Sequence, residues 1–360
     1  MFGAFAGVLD RFRGGGEAAV TVPPMDGALR PNSRIENAPL IHSAKAPDNL
    51  VLHEGVVIFS SGTLLFEMGE TGGAPTLKEE LTSEITCLAS HPSGMLAIGL
   101  AEGRIVIRGG MHHGAIISSV GDRPVVCTTA ATFGDADTLF ICLGSQRFAA
   151  AEWKKDLMSK NASGSVWRVE MRTLEATCLA DGLAYPYGIA VEGRGGIVVS
   201  ESWRHQLIVL APQGRPRTLF DDLPGYPSRL TRDPGHVDFW LAVFAPRTQL
   251  IEFVLREDDY RGQMMEEIDP EYWIAPSLHH PRSFLEPVQG GAVKQHGELK
   301  PWAPSKSYGL VIRLDGAFQP IESFHSRANG TRHGVTSCLL QGTSLIVASK
   351  GGDAIVAVAR

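Results

Sequence analysis

A handful of polar residues, each at the entry to a short apolar run, carry most of the reactive chemistry in this chain. They are Asp48, Asn49, Thr128, Tyr187, Ser228, Arg229, His333 and Thr336. An Asp, a His and a hydroxyl residue can form an acid/base set, which makes Asp48, His333 and Thr336 the candidate catalytic residues. A lone His in a polar turn also serves simply as a hydrogen-bonder, and that structural role stands beside the catalytic one for His333. Arg229 can hold a substrate carboxylate or phosphate with two parallel bonds, or pair with a neighbouring acid. Asn49, Thr128, Tyr187 and Ser228 join it as candidate substrate contacts.

These residues matter only if the fold brings them together, and a repeat in the sequence says that it does. Short apolar runs bounded by turn residues read as strands buried on both faces. Six units of this kind begin at Ala46, Ser83, Arg123, Tyr185, Tyr226 and Arg332; the third resumes at Gly164 and the fifth at Ser307. Aligned on their internal turns, the units place Asp48, Thr86, a residue among Cys127 to Thr129, Tyr187, Ser228 and Thr336 at one equivalent position. The next position holds Asn49, Cys87, Gly188, Arg229 and Ser337. The pattern predicts an all-β, six-bladed β-propeller over residues 41–360, with residues 1–40 as an N-terminal tail. The last strand, Ala354 to Val358, ends almost at the C-terminus, as closure with an early strand requires. A β-sandwich is the alternative arrangement of regularly spaced strands.

Two insertions interrupt the repeat. Residues 148–163 have helical composition, and residues 255–306 contain the helix-like REDDYRGQMMEEI followed by a Gly/Pro-rich run. Insertions this long serve as lids or binding loops, or as packing arms. Tyr272, Trp273, Phe284 and Trp302 in the second either cover an apolar ligand or anchor the insertion to the rim. His279-His280 and His112-His113 are poor metal chelates, because adjacent residues on an extended segment point to opposite sides. Glu201 follows the second strand of its blade and reads as a hydrogen-bonder between blades.

Bulk properties narrow the function classes. The 360 residues are 44% hydrophobic and 20% charged, with a formal charge of −6, so no basic footprint for nucleic acid exists. No apolar run reaches the roughly 20 residues that cross a bilayer. The N-terminus lacks the features of a secretory signal. Its Phe2, Phe5, Val8, Leu9 and Phe12 form one face of a short helix, suited to docking on the protein itself or on a membrane surface or partner. The five cysteines are odd in number and widely spaced, which argues for reduced thiols and a cytoplasmic location. The sequons at Asn161 and Asn329 are then expected to be unused.

The segments GLAYPYGIAV, VSESWRHQLIVL, DDLPGYPSRLTRD, SYGLVIRLDG and HGVTSCLL…LIVASK resemble the strictosidine synthase-like family, within the six-bladed superfamily of gluconolactonases and paraoxonases. The resemblance covers most of residues 46–360. It implies a small-molecule site in the central channel. In the superfamily's hydrolases it implies a divalent cation, usually Ca²⁺, held by an acidic residue of the first blade, Asn residues of two middle blades and an Asp or Asn of a later one. Only Asp48 keeps such a ligand. Tyr187 stands where an Asn is expected and Ser228 where an Asp is expected. Arg229 follows, and the third unit offers Cys127, Thr128 and Thr129. The synthase itself uses a channel glutamate of the last blade, and Thr336 stands at that place. The leading expectation is therefore a strictosidine synthase-like enzyme, of hydrolase or lyase/synthase type, acting on a small organic substrate without a metal. A non-catalytic propeller binding a small ligand or a partner is the alternative, and a Ca²⁺-dependent lactonase or arylesterase the third.

Overall fold

A computed structural model describes residues 22–69, 73–193, 195–211, 216–233, 235–283, 285–287, 294–295, 298–299 and 305–360. The N-terminal apolar face, Phe284 and Trp302 lie outside these. The β-rich repeat folds as six four-stranded antiparallel sheets arranged as the blades of a propeller. Their first strands are Pro47–His53, Ile85–His91, Thr128–Asp135, Pro186–Val191, Gly225–Arg232 and Val335–Gln341. These six strands contact one another in order and close into a ring. Apolar side chains on both faces of each blade fill the space between blades; Ile98, Ile141, Val198, Leu241 and Val347 are fully buried. This is why the strands read as continuous apolar runs rather than as alternating ones.

The ring closes through the N-terminal strand Leu40–Ser43, which pairs antiparallel with Ala354–Ala359 and completes the sixth blade. The preceding residues are docked rather than loose. Ile35 is wholly buried, Arg34 pairs with Glu322 at 2.6 Å, and Asn32 donates to the Ser323 carbonyl at 2.9 Å.

The inner strands share one irregularity. Each first strand slips register against its neighbour near the point where it enters the blade, between residues 48 and 51, 85 and 87, 128 and 130, 186 and 188, 227 and 230, and 335 and 337. A bulge bends the strand and re-aims its side chains. The six bulges coincide with the positions that self-alignment of the sequence picks out.

The insertions cover the same end of the channel. The first forms a short helix α1, Trp153–Met158. The second begins earlier than composition suggests, with α2 at Gln249–Arg256, where the Thr248 hydroxyl caps the helix by accepting from the Ile251 N–H. Helix α3, Asp258–Glu267, follows. Leu157 and Met158 of the first insertion and Val254, Met264, Trp273 and Ala275 of the second pack into one apolar cluster with Tyr226 and Phe244 of blade five. Trp273 is 2% exposed and packs in this cluster with blade five, so it anchors the insertion, while its indole N–H donates to the Ile268 carbonyl within the insertion itself. Among the described residues no helix is long and apolar enough to cross a membrane.

Candidate functional site

Arg229 occupies the centre of the covered mouth. One guanidinium nitrogen bonds Asp48 Oδ1 at 2.7 Å, and the other donates to the Thr86 carbonyl at 2.7 Å. Longer contacts reach the carbonyls of Thr129, 3.4 Å, and Thr336, 3.5 Å. A single side chain from blade five thus ties the inner strands of blades one, two, three and six. The Tyr187 ring lies 5.2 Å from the guanidinium carbon, in cation–π contact.

Asp48 is saturated. Its Oδ1 also accepts from the Thr336 hydroxyl and the Asn49 N–H, each at 2.8 Å, and its Oδ2 pairs with Lys350 Nζ at 3.2 Å. Burial works against the charge of this carboxyl, but Arg229 and Lys350 outweigh it and hold the pKa below the ordinary value. Arg229 and Lys350 lose stabilisation by burial and regain more from Asp48, so both lie above their usual values and stay protonated.

Above this floor is a cavity of about 220 Å³. Its polar residues are Asp48, Glu84, Thr86, Thr128, Thr129, Arg229 and Lys350, and its aromatic wall is Trp153, Tyr185, Tyr187, Trp203 and Phe244. Trp203 stacks on Tyr185 with centroids 4.4 Å apart, and its indole N–H donates to Asp156 at 2.7 Å. That bond ties blade four to the first insertion.

The structure brings Asp48, Thr128, Tyr187 and Arg229 together in the cavity, with Thr336 directly behind Asp48 as a hydrogen-bond donor. Three other sequence-derived candidates point elsewhere. Successive strand residues face opposite ways. Beside Arg229, Ser228 is fully buried and directs its hydroxyl to the carbonyls of Ala242 and Thr336, both at 3.1 Å. Asn49 has a left-handed backbone, φ 58°, and bonds Ser60 and the Ile85 carbonyl between blades one and two. His333 is fully buried away from the cavity. Its Nδ1 lies 2.7 Å from the Ser307 hydroxyl and its Nε2 2.8 Å from the Arg327 carbonyl. Burial lowers its pKa despite that carbonyl, which favours the neutral ring, and both ring nitrogens are engaged.

Lys350 is the cation of the site that sequence reasoning missed. It follows the second strand of blade six at the end of the LIVASK segment, and an alignment restricted to first strands passes over it. Glu201 accepts from the Ala184 N–H at 2.6 Å and so fixes the link from blade three to blade four. His112 pairs with Asp137 at 3.0 Å, and the His279 and His280 rings contact main-chain carbonyls.

The donor set does not suit a hard cation. Such an ion needs several free oxygen ligands, whereas both oxygens of Asp48 are bonded to cationic groups. Among the described residues no cluster of three or more His, Cys, Asp or Glu is placed to hold a metal.

No protein-family model matches the chain. Over 102 residues it is 31% identical to Protein Strictosidine synthase-like 8 of Arabidopsis thaliana, a match spanning 27% of this chain and 27% of that protein. A gluconolactonase of Xanthomonas campestris superposes with a TM-score of 0.56 at 13% identity, over 88% of this chain and 86% of the other. The calcium-binding regucalcin of Agrobacterium tumefaciens superposes with a TM-score of 0.53 at 12% identity, over 90% and 95%. A putative gluconolactonase gives 0.55 at 10% identity, over 90% and 92%. The fold is that of the gluconolactonase-type six-bladed propellers. The resemblance read from the sequence is thus met twice, as a partial sequence match and as a shared fold.

Proposed function

We propose that this protein is a strictosidine synthase-like small-molecule enzyme, of hydrolase or lyase type, acting in the covered mouth of the channel. Arg229 and Lys350 there do the electrostatic work that the resemblance assigns to a divalent cation. The observation that carries the reading is the Arg229 guanidinium, held at the centre of the mouth by Asp48 and main-chain carbonyls. Fixed cationic donors in a site screened from water stabilise negative charge developing on a substrate oxygen at no cost in reorganisation. Asp48 orients this pair and is no free base. Authentic strictosidine synthase chemistry is disfavoured, because Thr336 carries no carboxylate and gives its proton to Asp48.

The test is a screen with esters, lactones and amine–aldehyde pairs, repeated on Arg229→Gln and with chelator. Turnover should fall by about a hundredfold in the variant and be unchanged by chelator. A Ca²⁺-dependent rate would return the protein to the metal-dependent lactonases. One observation favours a second reading, a non-catalytic binding propeller: both Asp48 oxygens and both His333 nitrogens are already bonded. Ligand binding with no turnover across the screen would select it.

A further inference from the structure

One ion pair of the mouth is left open. Glu84 and Lys350 both line the cavity, yet Glu84 Oε1 stands 3.7 Å from Lys350 Nζ. A charge-assisted N–H···O bond closes at roughly 2.7–2.9 Å, so neither group satisfies the other. Both reach solvent: the Glu84 side chain is 48% exposed and that of Lys350 22%. Lys350 carries three N–H donors and makes one hydrogen bond, to Asp48. The Glu84 carboxylate has no hydrogen-bond donor among the described residues. Their main chains are fixed. The Glu84 carbonyl, just ahead of the inner strand of blade two, accepts from the Ala101 N–H at 2.9 Å, and the Lys350 N–H donates to the Gly334 carbonyl at 2.9 Å. A free donor and a free acceptor are thus held side by side in the cavity lining.

The charges balance. Arg229 and Lys350 are met by Asp48 and Glu84, and among the described residues no other Lys, Arg, His, Asp or Glu lines the cavity. A carboxylate seated on Lys350 would face Glu84, and an ammonium seated on Glu84 would face Lys350, so a ligand of either sign meets repulsion. An uncharged group that carries an acceptor and a donor on one carbon meets both partners without that penalty, and an amide is such a group. A zwitterion would balance the charges too. It must, however, bring two ions out of water against the aromatic wall of Tyr187, Trp203 and Phe244, which costs far more than desolvating one amide. The volume of about 220 Å³ is smaller than the roughly 300–1,000 Å³ of drug-sized pockets, so the amide carries no more than a small ring.

We infer that the mouth takes a small, uncharged, ring-bearing amide, with its carbonyl oxygen on Lys350, its N–H on Glu84 and its ring against the aromatic wall. This deepens the functional reading above and rests on the mouth being the site. The test measures binding, so that it stays separate from turnover. Phenylacetamide, phenylacetate, 2-phenylethylamine and phenylalanine are titrated by calorimetry into the full-length protein, into Glu84→Gln and into Lys350→Met, with melting curves checking that each variant folds. The amide should bind wild type at least about fivefold more tightly than the carboxylate or the amine. Glu84→Gln, a change at a half-exposed side chain, should erase the bias against phenylacetate and keep the bias against the amine. Lys350→Met should do the reverse. Equal binding of the amide and the two charged probes, no binding of any probe, or a bias against phenylacetate that survives Glu84→Gln overturns the inference. Tighter binding of phenylalanine than of the amide overturns it in favour of a zwitterion. A protein that turns over esters yet shows no preference for the amide keeps the functional reading and loses this one, whereas the preference without turnover across the screen keeps this one and loses the other.

Discussion

At the scale of single residues the mouth is organised around a buried charge cluster whose members need one another. Arg229 and Lys350 are side chains only 12% and 22% exposed, and Asp48 is their shared counter-ion at 5%. Removing one partner of a buried pair leaves the other charge uncompensated, a loss of about 3–5 kcal/mol. Asp48→Asn should therefore destabilise the protein by that order. The loss should depend on pH in a defined sense. The folded pKa of Asp48 is depressed, so its contribution is fully present above the unfolded carboxyl value of about 4 and vanishes as pH falls through the folded value. Urea unfolding of wild type and Asp48→Asn between neutral pH and pH ~3 should show a gap that narrows in acid. A gap constant over that range would mean that Asp48 acts through packing and not through charge. Other acids of depressed pKa, such as Glu252 at about 2, are common to both proteins and cancel in the difference.

At the scale of elements the site depends on how the insertions are fastened to the ring. Glu252 on α2 faces Arg247 at 3.4 Å and His205 at 3.5 Å, which pins the helix to blades four and five. On the far side the insertion meets blade six at a notch: a Cβ on Gly351 would collide with the Leu278 carbonyl and lie 2.9 Å from His279 N. Gly188 serves a similar purpose between blades, since a Cβ there would lie 2.8 Å from Leu230 N. Gly351→Ala should therefore unseat the loop around Leu278, which lines the cavity, while the blades stay folded. Hydrogen exchange should show lost protection over residues 270–283 and little change in the inner strands. Unchanged exchange across that segment would show that the notch is not its seat. The repeat made the mouth legible because every blade bulges at the same place, and self-alignment found Asp48, Tyr187, Arg229 and Thr336. It did not separate Arg229 from Ser228, because a bulge decides which neighbour faces the axis and sequence period alone does not. The aromatic wall was illegible for another reason. Trp153, Trp203 and Phe244 come from an insertion, a turn and a second strand, and only tertiary packing joins them.

At the scale of the whole molecule the ring has one non-covalent seam. Four blades are built from consecutive strands and the fifth is interrupted only by its insertion, whereas the sixth takes its outer strand from the opposite end of the chain, with Leu40 against Val356 and Ser43 against Ala354. Without that strand Ala354–Ala359 becomes an open edge, which pairs readily with other chains. The segment before it contributes the buried Ile35 and the Arg34–Glu322 pair. Burial of one Ile side chain is worth about 1.5–3 kcal/mol, and each lost strand bond about 1 kcal/mol. A chain beginning at Ala44 should then melt about 5 °C or more below wild type and associate with rising concentration in sedimentation. Because the lost contacts are all non-covalent, a peptide of residues 22–43 added in trans should restore part of the melting temperature by mass action. The mouth would register the same change, since the inner strand of blade one, which carries Asp48, follows the closing strand directly. Wild-type melting in the shortened chain would show that the seam holds without the strand, and that the buried cluster round Arg229 is what locks the ring.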